Sequence, residues 1–212
     1  MGIYDISAMI TFITNMRSEL LHTYIGHSMG ATSFYITASK RPEIAQMVRM
    51  MINLAPAVYT NHMQSPIRYL VSYKKELQTL LPVIFSYFPA GASIKTTAHF
   101  AQIIESGEFR QYDYGRAKNL VIYNLVELPE YDLANITIPV ALFYFDDDKL
   151  ISSMDLKRLS HVLPNVMDLY QISESKFNHL DFLWANNAPQ LVYEKIFQIM
   201  REENPNNITS TK

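Results

Sequence analysis

Gly26-His27-Ser28-Met29-Gly30 sets a serine between two glycines, each two positions away. The apolar run before it, LLHTYIGH, reads as a buried strand, and ATSFYITASKR after it reads as a helix that Pro42 ends. A serine on a sharp strand-to-helix turn has its hydroxyl thrust outward, and small residues on either side let the turn close. The helix that follows aims its first N–H groups, that of Met29 foremost, at negative charge developing beside the hydroxyl. Such a turn suits nucleophilic attack on a carbonyl.

A serine hydroxyl needs a base, and the base needs a carboxylate to orient it. In sites built on this kind of turn the chain order is serine, acid, histidine. His62, His99, His161 and His179 follow the serine. His62 and His99 precede any candidate acid and are excluded by that order. His161, in LKRLSHVLPN, reads as a solvated helix residue. His179, in SKFNHLDFLW, falls in a loop between the last strand and the last helix, where the base belongs. The acid belongs just past a strand's C-terminal end, where FYFDDDKL offers Asp146, Asp147 and Asp148. Spacing does not choose among the three. Asp181 lies too close to His179 for that role and reads as a local cap.

The elements that must hold these residues follow from hydrophobic periodicity. Ile6, Met9, Ile10, Ile13 and Met16 recur at helical spacing over residues 5–17. EIAQMVRM reads as a short helical piece leading into the strand-like INLAPAV. IPVALFYF and VMDLYQI read as two further strands. APQLVYEKIFQIM reads as a closing helix, with Pro189 in its first turn and Leu191, Ile196, Ile199 and Met200 as packing residues. Strands alternating with helices predict an α/β fold around a mostly parallel sheet. Residues 59–115 carry helical stretches and scattered aromatics without a buried strand, so they read as a subdomain inserted in a core formed by 1–58 and 116–204. Residues 205–212 read as a polar tail.

Composition narrows the function classes. The chain has 212 residues, 49% hydrophobic, with a net charge of -2 and scattered basic residues. Nothing there suits nucleic acid or an anionic membrane surface. The absence of cysteine excludes disulfides, thiolate metal sites and cysteine nucleophiles. No stretch is long and apolar enough for a membrane span, and MGIYDISAMITFITNM does not read as a signal peptide. Asn135 and Asn207 head N-x-T glycosylation triplets, a hint of a secretory route.

YIGHSMG, LAPAVY, PAGASIKTTAHFAQIIESGEFRQYDYG, ITIPVALFYFDDDKLISSMDL and FNHLDFLWANNAPQLVYEKIFQIM follow one another as in the acid lipase family of gastric, lysosomal and insect lipases. The similarity runs nearly from Asp5 to Met200. It implies the C-terminal portion of an α/β-hydrolase fold, with a shortened helical cap between LAPAVY and PAGAS. It further implies Ser28 as nucleophile, Asp148 as orienting acid and His179 as base, because DDDKLISSMDL aligns on the family's Gly-Gly-x-Asp-x-Leu turn. The implied reaction is hydrolysis of acylglycerols or sterol esters through an acyl-enzyme, with neither metal nor cofactor, in a secreted or lysosomal setting. Relatives also carry earlier sheet strands and a His-Gly-Leu loop that donates a second oxyanion N–H, and this sequence contains no His-Gly pair. Those departures leave an alternative, a non-catalytic homologue that binds lipid or associates with a full-length relative.

Overall fold

The computed structural model describes residues 2–64, 93–174 and 177–203. Its centre is a four-stranded parallel sheet in the order β1 (Leu21–His27), β2 (Val48–Leu54), β3 (Val140–Tyr144) and β4 (Val166–Gln171). A parallel sheet needs helices on both faces, and the two central strands accordingly read as nearly continuous apolar runs, VRMMINL and VALFY. Alternate residues face opposite ways. Met51 and Leu142 join one core with Phe34, Tyr35, Leu156 and Leu159. Met50, Ile52 and Phe143 join the other with Phe182, Ile196 and Ile199.

The flanking helices are α1 (Ser7–Arg17), α2 (Met29–Lys40), the single turn α3 (Pro42–Ala45), α4 (Ile94–Ser106), α5 (Arg116–Tyr123), α6 (Ser153–Val162), the short α7 (Asp181–Trp184) and α8 (Glu194–Glu202). Wide helical turns at Gly2–Ile6 and Pro189–Tyr193 lead into α1 and α8. Several sequence expectations change. β1, read as a buried strand, buries Gly26 alone, and β2 stops at Leu54, short of the end of INLAPAV. EIAQMVRM is helical only as far as Ala45, because Val48 and Met50 pair with Leu21 and Thr23 of β1 and draw the start of β2 back to Val48. The apolar positions of α1 also divide. Ile6, in the turn before α1, and Ile10 are buried, whereas Met9, Phe12, Ile13 and Met16 are exposed. In the closing helix Ile196 and Ile199 are buried as the periodicity requires, with Leu191 and Met200 packed at the margin. About half of the inserted segment, residues 65–92, lies outside the described residues, as do the tail and Asn207.

Candidate active site

The three candidate residues stand on loops at the C-terminal ends of strands, where open α/β sheets place their ligands. Ser28 follows β1 directly, with φ 52° and ψ -119°. A non-glycine residue in that region is strained, and the surrounding structure has to hold it there. The Ser28 N–H donates to Leu54 O at 2.9 Å, and its carbonyl accepts from Ala31 and Thr32 in the first turn of α2. The two glycines of the motif are unequal. A Cβ on Gly26 would fall 2.7 Å from the backbone of Ala31, so only glycine lets β1 and α2 approach this closely. Among the described residues nothing lies within 4 Å of a Cβ on Gly30, so closure of the turn requires glycine at Gly26 alone. Met29 heads α2, and its N–H is a first-turn donor with no acceptor inside the helix.

Asp148 and His179, 31 residues apart in sequence, meet through a 2.8 Å hydrogen bond from His179 Nδ1 to Asp148 Oδ2. Both are buried, at 6% and 8% exposure. The other carboxylate oxygen, Oδ1, accepts from the N–H groups of Leu150 and Ile151 at 2.8 and 3.1 Å. Asp148 is thus a fully bonded buried carboxylate, whereas Asp146 and Asp147 are exposed and bond to Gln171 and Lys149 at the surface. With Nδ1 engaged by Asp148, Nε2 is the ring nitrogen through which His179 can exchange a proton. Its loop is locked from both sides. Asp181 accepts from the Asn178 N–H at 2.7 Å, and the Asn178 side chain accepts from the Leu180 N–H at 3.0 Å.

Sequence reading assigned His27 only to the turn, yet its ring makes the tie to the histidine loop. His27 Nε2–H donates to the His179 carbonyl at 2.8 Å, and the two rings lie 4.7 Å apart. Burial, then the neighbouring His179, holds the His27 ring below its usual basicity and favours the neutral form. Among the described residues no hydrogen bond joins Ser28 to His179. The bond from the His27 ring to the His179 carbonyl ties the serine turn to the Asp148–His179 pair. His161 is exposed on α6, as expected, and His99 donates to Arg110 O at 2.8 Å away from the pair. Asn135 is exposed, with its side-chain nitrogen 3.4 Å from Ser39 O.

A cavity of about 230 Å³ opens beside Met29, lined by Thr32, Ser33, Phe100, Tyr112 and Tyr131 among others. Among the described residues no cluster of three or more His, Asp or Glu side chains could hold a metal ion. No helix among them is long and apolar enough to cross a membrane.

No family model matches the chain. Individual relatives do. It is 30% identical to Lipase 1 of Drosophila melanogaster over 94% of its own length and 56% of that protein's. It is 28% identical to the gastric triacylglycerol lipase of Rattus norvegicus over 96% of the chain and 64% of the relative. Lipase member N of Mus musculus shares 30% identity over 95% and 63%. The chain therefore spans roughly three-fifths of the length of these curated relatives. The alignment with the rat lipase runs to 254 positions against a chain of 212 residues, so that relative carries segments within the matched span that this chain lacks. Among solved structures, the monoacylglycerol lipase of Paleococcus ferrophilus superposes with a TM-score of 0.58 at 15% identity, over 96% of this chain and 76% of that one. A lipase-esterase related protein from Clostridium acetobutylicum gives 0.53 at 20% identity, over 91% and 73%. Over nearly its whole length the chain is similar in sequence to gastric and insect lipases, and its parallel sheet bearing the serine turn matches part of an α/β-hydrolase fold.

Proposed function

We propose that this chain is a serine ester hydrolase of lipase type, acting on acylglycerols or sterol esters. The observation that carries the reading is the buried Asp148–His179 pair, tied through His27 to the strained Ser28 turn. In this reading Ser28 Oγ attacks the ester carbonyl as its proton passes to His179 Nε2. Asp148 holds the imidazole with Nδ1–H toward itself and stabilises the cation that forms. The Met29 N–H and the α2 N-terminus face the oxyanion. His179 then returns the proton to the leaving alcohol, and water, activated by the same ring, releases the fatty acid from Ser28. The reaction needs no metal or cofactor. Residues 1–58 and 116–204 serve as the hydrolase core, and 59–115 serve as a reduced cap over the acyl site. Peripheral contact with a lipid interface and a secreted or lysosomal setting, with glycosylation at Asn135, accompany the reading.

The edge position of β1 among the described strands, with Ile25 48% exposed, favours a second reading, a lipid-binding homologue that works beside a longer relative. A fluorophosphonate probe separates the two. Labelling of the purified chain at Ser28, abolished in Ser28→Ala, is expected of the hydrolase. Folded protein that takes up no probe would leave only the second reading standing.

A further inference from the structure

A second histidine–carboxylate pair lies outside the acid–base centre, where the inserted segment begins. Tyr59–Gln64, a few residues past the end of β2, forms a short strap that α6 grips. Asp155, in the first turn of α6 and 2% exposed, accepts both from the His62 N–H at 2.9 Å and from His62 Nδ1 at 2.8 Å. Arg158, one turn further on, stacks 3.9 Å over the Tyr59 ring and donates to Asn61 Oδ1 at 3.2 Å. The strap then reaches the acid loop. The Gln64 N–H donates to Lys149 O at 3.0 Å, and Met63 packs beside Leu150. Lys149 and Leu150 directly follow Asp148, and the Leu150 N–H is one of the two donors on Asp148 Oδ1.

We propose that His62 and Asp155 are a positioning pair that seats the strap against residues 149–151 and so fixes Asp148. A carboxylate this deeply buried is costly unless every lone pair it turns inward is met. Here one residue supplies a backbone and a ring donor to opposite oxygens, which fixes the strap in both position and orientation. His62 itself is half-exposed. Its ring is therefore free of the core and can be changed without emptying it. The catalytic consequence rests on the serine hydrolase reading; the structural consequence does not.

The test uses the full chain with His62→Ala and with His62→Asn, whose amide nitrogen can stand in for Nδ1. Amide hydrogen exchange at Leu150 and Ile151 reports the acid loop, and fluorophosphonate labelling of Ser28 reports the site. His62→Ala is expected to speed exchange at Leu150 and Ile151 while β3 amides stay protected. It should slow labelling by about ten- to a hundredfold, the scale of a small misplacement of a catalytic group. His62→Asn should restore both. Unchanged protection of Leu150 and Ile151 in folded His62→Ala, or faster exchange across the whole sheet alike, overturns the proposal. If the unsubstituted chain takes up no probe, the hydrolase reading alone fails, and the exchange data still decide the positioning pair.

Discussion

β3 and β1 each lead toward a candidate catalytic residue, Asp148 and Ser28, yet their surroundings differ. Every residue of β3 is buried, and β3 is hydrogen-bonded to a strand on each side. Among the described residues β1 pairs on one side only, and it buries Gly26 alone, with Ile25 48% exposed. The acid is therefore held by the rigid middle of the sheet. The serine is held by local geometry: a forced positive φ, the close pass of Gly26 against Ala31, a bond to β2 and the His27 tether. A rigid core secures one half of the site, and a turn under strain secures the other.

The sharpest test of this contrast is at the buried carboxylate. Asp148→Asn should lower ester hydrolysis by roughly 10⁴-fold through loss of the correct His179 tautomer, measured with a soluble short-chain ester, with the fold retained by circular dichroism. Core against edge is the next comparison. In urea unfolding, Phe143→Ala should cost about 3–5 kcal/mol, and Ile25→Ala under about 1 kcal/mol because half of its side chain already meets water. Equal losses would mean that β1 is as enclosed as β3.

Within the serine turn the two glycines make a finer contrast. Gly26→Ala should cost about 1–3 kcal/mol by forcing β1 and α2 apart, whereas Gly30→Ala should stay within about 0.5 kcal/mol. A large loss at Gly30 would point to a neighbour of that turn outside the described residues. The smallest expected effect is electrostatic. Burial holds His27 and His99 below the usual histidine value of 6.5, so the unfolded chain binds more protons than the folded one as pH falls below about 6.5. The melting temperature should decline over that range and then level below the folded-state values. The decline should be shallower in His99→Gln, which keeps a donor for Arg110 O. A slope unchanged in that variant would assign the effect to other groups.

Local patterns carried much of the architecture into view. Continuous apolar runs announced β2 and β3, and G-x-S-x-G flanked by a strand and a helix announced the turn at Ser28. Periodicity failed where pairing overrode it. VRM looks helical beside EIAQ, but cross-strand partners on β1 draw it into β2. It failed again on α1, because an apolar stripe says which face is greasy and not what covers it.

The amino-acid sequence by itself determined the element types, the serine turn and a short set of acids and bases, because those depend on neighbours along the chain. Choosing Asp148 from three adjacent aspartates by physical means took the tertiary structure. Only there do two backbone N–H groups and a histidine 31 residues away converge on one carboxylate while its neighbours stay in water. The same holds for His27 against His179 and for His62 against Asp155. Directional bonds between distant loops exist only once the sheet has set its register, and no spacing along the chain encodes them.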